Sequence, residues 1–157
     1  MTDTYTRTWG ILPNKWDRAH MKVARVYSKL STAKRLQVGA VIVKDNRIIS
    51  IGYNGMPSGW DNVCENEIKW PNGDVQFLET KPEVLHAESN AIAKVAKSSD
   101  NCEGATIYTT TAPCIECAKL IYQSGIKRVV WEKPHLRNDD GVKFLDKCDG
   151  IVVEKYE

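Results

Sequence analysis

Apolar and polar positions follow one another along the chain in blocks that predict alternating helices and strands. After Asn14, which can cap a helix, apolar side chains recur at three- and four-residue steps and predict an amphipathic helix. This stripe comprises Trp16, Ala19/His20, Val23, Tyr27 and Leu30. A β-branched run at Val38–Val43 and an apolar run at Ile48–Gly52 flank a polar turn at residues 45–46. Together these segments predict a β-hairpin.

The second half of the chain alternates between helix and strand patterns. It predicts helices at His86–Lys97, Cys114–Ser124 and Gly141–Lys147, and strands at Ala105–Thr110, Arg128–Glu132 and Ile151–Val153. Gly125 follows the second of these helices at the position where helices commonly end. Strands that alternate with helices favour a sheet covered on both faces. We therefore predict an α/β fold with a five-stranded mixed sheet and helices on both faces.

In two segments the apolar residues do not recur at the spacing of either a helix or a strand. The first 13 residues predict a loose arm that ends at Pro13. Residues Gly52–Leu85 are rich in Gly, Pro, Asn, Asp and Trp, and a long irregular segment inside a compact domain is usually functional or else a misassignment of its elements. No internal repeat is present, and a length of 157 residues fits one domain over residues 1–157.

Composition and charge exclude several classes of protein. Apolar residues make up 42% and charged residues 27% of the chain, as in ordinary globular proteins and unlike disordered, collagenous or coiled-coil chains. No apolar run reaches the roughly 18–20 residues of a membrane span, and the N-terminus does not resemble a secretory signal. We therefore expect a cytoplasmic protein without a membrane partner. A formal charge of +2 argues against a nucleic-acid partner.

The cysteines indicate a metal or redox site rather than a disulfide framework. There are five of them, an odd number, and no export signal precedes them. Cys114 and Cys117 are spaced i, i+3 at the predicted start of a helix, so both sulfurs can approach one ion. A helix N-terminus also lowers thiol pKa values, which favours the thiolates that zinc requires. Alone, this C-x-x-C motif is compatible with zinc binding or with redox chemistry.

A second motif, His86-Ala87-Glu88, opens the preceding predicted helix. Alone, His86 fits a capping or core histidine, and Glu88 fits a carboxylate that interacts favourably with the helix dipole. Together, H-x-E and P-C-x-x-C are typical of zinc-dependent nucleobase deaminases. The pair predicts that His86, Cys114 and Cys117 hold a catalytic zinc ion and leave its fourth position open for water. Glu88 is then the catalytic residue that transfers protons.

Longer segments resemble the cytidine and deoxycytidylate deaminase superfamily, and within it the deoxycytidylate (dCMP) deaminases. These segments are Gln37–Val43, Gly52–Gly59, His86–Ile92 and Gln123–Lys127. The similarity runs from about Trp16 to Val130. The most specific element is G-Y-N-G-x-P-x-G, since tRNA adenosine deaminases share the two zinc motifs without it. The resemblance implies a cytidine-deaminase-like fold of three α-β-α layers.

The resemblance also implies a function in pyrimidine deoxynucleotide biosynthesis. It implies hydrolysis of dCMP to dUMP and ammonia, with one Zn²⁺ per subunit, in a homo-oligomer for which we favour a hexamer. Family enzymes are commonly activated by dCTP and inhibited by dTTP, and Mg²⁺ could accompany such an effector. The implied effector residues are Gly52, Tyr53, Asn54, Gly55, Met56, Pro57, Ser58 and Gly59. Residues 52–85 are thus expected to form the substrate and effector region.

Substrate-binding residues are carried over from the same resemblance. The predicted set is Asn54, Ala87, Thr110, Thr111, Ala112 and His135, with Asn54 on the sugar and Thr110–Ala112 lining the base pocket through backbone groups. His135 stands where the family places a tyrosine against the base, with Trp131 and Tyr122 as alternatives. The phosphate candidates are Lys29, Lys34 and Arg35. Ala33 replaces a cysteine that holds a second zinc in some relatives, so no second metal is expected although Cys64 remains.

Three other functions remain open on the sequence. The first is a deaminase of another cytosine or adenine substrate, either a nucleoside or a nucleic acid. A strand-binding enzyme needs a basic track, against which the small net charge argues. The second is a thiol–disulfide protein built on the C-x-x-C pair, in which H-A-E would have no role. The third is an inactive nucleotide sensor on the same fold, against which the complete set of active-site residues argues.

Overall fold

The computed structural model describes residues 10–11 and 13–157, and the following elements lie within them. The strands are β1 (Gly10–Ile11), β2 (Gly39–Lys44), β3 (Arg47–Tyr53), β4 (Glu65–Lys69), β5 (Val75–Thr80), β6 (Thr106–Thr111), β7 (Arg128–Lys133) and β8 (Val152–Tyr156). The helices are α1 (Lys15–Ser28), α2 (Ala87–Ala96), α3 (Ile115–Gln123) and α4 (Asp140–Asp146). Most of the predicted N-terminal arm lies outside the described residues, and its residues 10–11 form β1. None of the described helices combines the length and the hydrophobicity needed to span a bilayer.

The main sheet is mixed, as predicted. Its strand order is β1-β8-β7-β6-β2-β3. Neighbouring strands run parallel from β1 to β6, and β2 is antiparallel to both β6 and β3. Five of these strands are the predicted ones, and the two-residue β1 adds a short edge strand. A two-residue strand is too short to leave a period in the sequence, so only its pairing with β8 reveals it.

The β2–β3 hairpin forms at the predicted place. Asp45 and Asn46 have φ values of 50° and 60°, the left-handed conformation that a two-residue type I′ turn requires. Aspartate and asparagine visit this conformation more readily than other residues with a side chain. The turn chemistry therefore agrees with the apolar runs that flank it.

Helices cover both faces of the sheet, which confirms the three-layer α/β fold. On one face, Met21 and Ala24 of α1 pack against Val41, Val43, Tyr108 and Val130 of the strands. On the other face, α2, α3 and α4 pack on Ala40, Ile42, Ile107 and Val129. Adjacent strand residues point to opposite faces, so each strand supplies both cores from alternate positions.

The contacts of α1 differ from the predicted stripe. Asn14 caps this helix as expected, with Oδ1 accepting a 2.8 Å hydrogen bond from the Asp17 backbone. The predicted apolar face holds at its centre, where His20 is buried and Val23 packs against the core, and is wrong at its ends, where Trp16 and Leu30 are 49% and 56% exposed. The buried residues of α1 are Asp17, His20, Met21, Ala24 and Ser28. Asp17 tolerates burial because Arg128 donates to it at 2.8 Å, and a hydropathy pattern does not contain that partner.

The segment between Gly52 and Leu85 is less irregular than predicted. Strands β4 and β5 pair antiparallel within it, in a two-stranded sheet separate from the main one. Most of the residues in both strands are exposed. Apolar and polar residues alternate along a strand when one of its faces is buried and the other is exposed. Because this hairpin is mostly exposed, its sequence shows no such alternation.

Candidate active site

Three predicted ligands converge at the starts of two helices. His86 is the N-cap residue of α2, and Cys114 is the N-cap residue of α3. Nδ1 of His86 lies 3.4 Å from Sγ of Cys114 and 3.4 Å from Sγ of Cys117. The Cys117 backbone N–H donates to Cys114 Sγ at 3.4 Å, which holds the two sulfurs within one helical turn. The structure thus brings together one imidazole and two sulfurs.

This spacing fits a zinc ion. Zn–N bonds of about 2.0–2.1 Å and Zn–S bonds of about 2.3 Å at a tetrahedral angle place nitrogen and sulfur about 3.5 Å apart. The three ligand atoms lie within 4.8 Å of one another. Within residues 13–157, no other group of three histidine, cysteine or acidic side chains has this arrangement. Cys64 is buried elsewhere, and all five cysteines are free, as predicted.

The local electrostatics favour metal ligation. The Cys117 thiol donates to Cys114, and together with the neighbouring His86 this lowers the pKa of Cys114 to about 3. The same contact with Cys114 raises the pKa of Cys117. Hydrogen bonding to Cys114 also raises the pKa of the His86 imidazole. These contacts favour the thiolate form of Cys114, the form in which cysteine binds a metal.

Glu88 lies beside these residues in the first turn of α2. Its side chain is only 4% exposed, and this burial raises the pKa of the carboxyl group. Oε1 of Glu88 is 3.2 Å from the hydroxyl of Thr109 on β6. A buried carboxyl group with a raised pKa is suited to accept and donate protons near neutral pH. Glu88 is not among the three clustered ligands, in keeping with its predicted role.

A cavity of about 300 Å³ opens onto this group of residues. His86, Cys114 and Glu88 contribute to its wall. Five of the predicted binding residues also line it, namely Asn54, Ala87, Thr111, Ala112 and His135. Thr110 does not line it, since its hydroxyl accepts a 3.0 Å hydrogen bond from the Gly39 backbone. Strand alternation thus directs Thr110 toward the face that α1 covers.

The three aromatic candidates occupy different environments. Trp131 is 8% exposed and belongs to the core beneath α2, α3 and α4. Tyr122 packs edge-on against Phe144, with ring centroids 6.4 Å apart. Neither lines the cavity, whereas His135 does. His135 is therefore the ring of the three that a ligand in the cavity can reach.

The cavity also contains two arginines. Arg35 lines it and donates to the Thr80 hydroxyl at 3.0 Å, whereas Lys29 and Lys34 are not part of its wall. Arg137 lines it as well, and the sequence patterns did not indicate this residue. Arg137 follows the carboxyl end of β7, and ligands of α/β proteins commonly bind at the carboxyl ends of parallel strands. That rule, applied to the predicted strand order, is the signal that could have found it.

The Gly52–Gly59 segment connects β3 to the cavity. A Cβ atom on Gly52 would lie 2.1 Å from the Ala87 carbonyl oxygen, so only glycine allows β3 to approach α2 this closely. Asn54 donates to the Leu36 carbonyl at 2.7 Å and accepts from the Val38 backbone at 2.8 Å. Both ends of the Asn54 amide are therefore engaged by the protein. The close approach of Gly52 to Ala87 thus fixes the start of α2, which follows His86.

The chain is similar to known deaminases over most of its length. The sequence model of the cytidine and deoxycytidylate deaminase zinc-binding region matches residues 14–133. Deoxycytidylate deaminase of Homo sapiens is 40% identical over 158 residues, a match that covers 89% of this chain and 85% of that protein. Deoxycytidylate deaminase of Enterobacteria phage T4 is 36% identical over 165 residues, covering 85% of this chain and 86% of that protein.

A solved structure is similar across nearly the whole fold. The dCMP deaminase of cyanophage S-TIM5, crystallised in complex with dCMP and dUMP, superposes with a TM-score of 0.78 at 38% sequence identity. The match covers 92% of this chain and 99% of the cyanophage chain.

Proposed function

The chain belongs to the cytidine and deoxycytidylate deaminase family, and from that premise we propose that it hydrolyses dCMP to dUMP and ammonia. The observation that carries the proposal is the convergence of His86, Cys114 and Cys117, with 3.4 Å from the imidazole nitrogen to each sulfur, beside the buried carboxyl group of Glu88. Relatives similar over most of the chain are named deoxycytidylate deaminases, which supports dCMP as the substrate.

The reaction replaces the amino group on C4 of cytosine by oxygen from water. A zinc ion held by His86, Cys114 and Cys117 supplies Lewis-acid activation of water near neutral pH. Glu88 accepts one proton from the attacking water and delivers it to N3 of the base, then takes the second proton from the water-derived oxygen on C4 and passes it to the departing amino group, which leaves as ammonia. Because Glu88 is buried against the sheet, its protons pass to the substrate rather than to bulk solvent.

The cavity suits a free mononucleotide. Its volume of about 300 Å³ matches a small ligand. His135 offers a ring for the base, and the backbone beside Ala87, Thr111 and Ala112 offers hydrogen-bonding groups. Arg35 and Arg137 supply the cationic forks that a phosphate group binds well. With a net charge of only +2, the chain lacks the overall basic character of proteins that bind a nucleic-acid strand.

The proposal extends to regulation and assembly. We propose that dCTP activates the enzyme and dTTP inhibits it, that both bind at the Gly52–Gly59 segment, and that Mg²⁺ accompanies the bound effector. We also propose that the protein is a homo-hexamer in the cytoplasm. The sequence resemblance of Gly52–Gly59 to the dCMP deaminases supports the effector site. Rate curves with and without dCTP or dTTP test the regulation. Light scattering on the purified protein tests the assembly.

The experiment that tests the main proposal is a turnover panel with zinc-loaded protein. Its substrates are dCMP, CMP, deoxycytidine, dCTP and a single-stranded cytosine oligonucleotide, with ammonia release as the readout. We expect dCMP to be the preferred substrate, with loss of activity after zinc removal and recovery when zinc is restored. Preferred turnover of the nucleoside or of the oligonucleotide would overturn the proposed substrate.

A further inference from the structure

We propose that Thr109 is a positioning residue that holds the carboxyl group of Glu88 in the orientation required for proton transfer. The inference rests on the proposed function, because it assigns a partner to the residue that carries the protons. Thr109 lies on β6, in the sheet, whereas Glu88 lies on α2. The contact between them therefore fixes the catalytic side chain to an element other than its own helix.

The geometry places the Thr109 hydroxyl at the centre of a small hydrogen-bond network. Its Oγ1 lies 3.2 Å from Glu88 Oε1 and 2.5 Å from the Thr111 carbonyl oxygen. The Thr111 backbone N–H donates to the same hydroxyl at 3.3 Å. Because the hydroxyl has one proton, it donates either to the Thr111 carbonyl or to Glu88, whereas the Thr111 N–H donates to it in both cases and ties it to β6.

The chemistry of a hydroxyl suits a partner that gains and loses a proton. A threonine hydroxyl has one proton to donate and two lone pairs that accept. It can donate to Glu88 when Glu88 is a carboxylate. It can donate to the Thr111 carbonyl and accept from Glu88 when Glu88 is a carboxylic acid. The contact therefore persists through each proton transfer that the proposed reaction assigns to Glu88, and a valine side chain would supply neither form.

Thr109 cannot act by touching the substrate. Its side chain is 0% exposed, and it does not contribute to the cavity wall, whereas its neighbour Thr111 does. Any effect of its hydroxyl on catalysis must therefore pass through Glu88 or through the backbone of β6. The two routes differ in their kinetics, since a misplaced proton carrier lowers kcat and a distorted cavity wall raises KM.

The test compares Thr109→Val, Thr109→Ser and a matched control in the full-length, zinc-loaded protein. Thr109→Val keeps the shape and removes the hydroxyl, and Thr109→Ser keeps the hydroxyl. The control is Ser50→Ala, which removes a buried hydroxyl that donates to the Ala91 carbonyl on α2 at 2.7 Å, away from Glu88. The measurements are kcat and KM for dCMP, zinc content, and a crystal structure of each zinc-loaded variant.

We expect Thr109→Val to lower kcat by about 10- to 100-fold, part of the roughly 10²- to 10⁴-fold that positioned proton transfer contributes, with KM and zinc content nearly unchanged. Thr109→Ser and Ser50→Ala should retain most of the wild-type kcat. The Thr109→Val crystal structure should show the Glu88 carboxyl group turned away while the backbone of Thr111 stays in place.

Three results would overturn the inference: an unchanged kcat in Thr109→Val, a Thr109→Ser protein as impaired as Thr109→Val, or an unmoved Glu88 in the crystal structure. A rise in KM alone would assign Thr109 to the cavity wall instead. If the wild-type protein does not act on dCMP, the proposed function fails. The orientation of Glu88 in the crystal structures of the wild-type and Thr109→Val proteins then still decides the role of Thr109.

Discussion

The phenol hydroxyl of Tyr108, in the central strand β6, donates a 2.7 Å hydrogen bond to Oδ1 of Asp17 on α1. Arg128 donates to both carboxylate oxygens of Asp17, at 2.8 and 3.2 Å. Asp17 is only 3% exposed, so its charge depends on these partners. The buried carboxylate therefore fixes α1 to the sheet at a position where the hydropathy pattern placed polar surface.

Asp17→Asn should lower the free energy of unfolding by about 3 kcal/mol, because removing one partner of a buried ion pair leaves the other insufficiently compensated. Urea denaturation at pH 7 measures this loss. Asp61→Asn, an exposed aspartate in the segment before β4, is the matched control and should change stability by less than about 0.5 kcal/mol. Equal stability of the Asp17 variant and the wild type would show that the pair contributes nothing.

The same residue predicts a dependence of stability on pH. Burial opposes ionisation of Asp17, but hydrogen bonds from Arg128 and Tyr108 outweigh it and lower the pKa of the carboxyl group. A group whose folded pKa is depressed stabilises the fold fully above its unfolded pKa of about 3.9. That stabilisation is lost as the pH falls through the folded value. The difference between wild type and Asp17→Asn should be constant from pH 5 to 7 and should shrink below about pH 4.

Cys114→Ala should abolish stoichiometric zinc binding. We expect the affinity for zinc to fall by more than about 100-fold, since loss of an outer partner alone costs about 10- to 100-fold. Metal analysis of the purified protein by mass spectrometry gives the zinc content. Cys148→Ala removes a half-buried thiol just after α4, and this variant should keep its zinc. Full zinc content in the Cys114 variant would contradict the assigned ligand set.

Glu88→Gln should retain zinc and lose deamination. Glutamine preserves the shape and the contact with Thr109, but it cannot carry a proton, and positioned proton transfer contributes about 10²- to 10⁴-fold to a rate. We therefore expect kcat for dCMP to fall by about that factor while the zinc content stays at the wild-type level. A variant that loses its zinc would instead assign Glu88 a part in metal binding.

Arg35→Ala and Arg137→Ala should weaken binding of the phosphate group. Each loss removes a charge-assisted contact worth about 1.5–3 kcal/mol, so we expect KM for dCMP to rise by at least about 10-fold. Turnover of deoxycytidine, which has no phosphate, should not change. Arg47→Ala, which removes the same charge at the exposed start of β3, serves as the control. An equal loss on dCMP and deoxycytidine would exclude a phosphate contact.

Gly141→Ala should disturb the metal site from outside it. A Cβ atom on Gly141 would lie 2.0 Å from the Pro113 carbonyl oxygen and 2.8 Å from the Cys114 backbone, so α4 would be pushed from the start of α3. We expect a loss of about 1–3 kcal/mol in stability together with weaker zinc binding. Gly55, whose added Cβ would meet no atom within 4 Å, gives the control Gly55→Ala for thermal melting. Wild-type melting and zinc affinity in Gly141→Ala would contradict the close contact.

The predictable parts of the fold are those whose signals are local. The β2–β3 hairpin was predicted from two apolar runs and an Asp45-Asn46 turn, all within a few residues of one another. The metal ligands were predicted because each motif opens a helix and their spacing has a recognised chemistry. Such features depend on neighbours in sequence, which a single chain displays directly.

The features that were missed depend on partners distant in sequence. Asp17 reads as a polar surface residue until Arg128, 111 positions later, is seen to compensate it. The β4–β5 hairpin has no buried face, so no period reveals it. Arg137 and Thr109 acquire their places from the strand order, which brings β6 against α2 and the end of β7 against the cavity. Tertiary contacts of this kind cannot be read from hydropathy.

Side chains that line the cavity come from two kinds of backbone. Glu88 and the metal ligands lie at the starts of α2 and α3, held by the sheet, whereas Asn54, His135 and Arg137 lie in connecting segments. Connecting segments accept substitutions and insertions more readily than the elements they join. Substitutions in these two loops would therefore change the wall of the cavity while the groups at the starts of α2 and α3 stay in place.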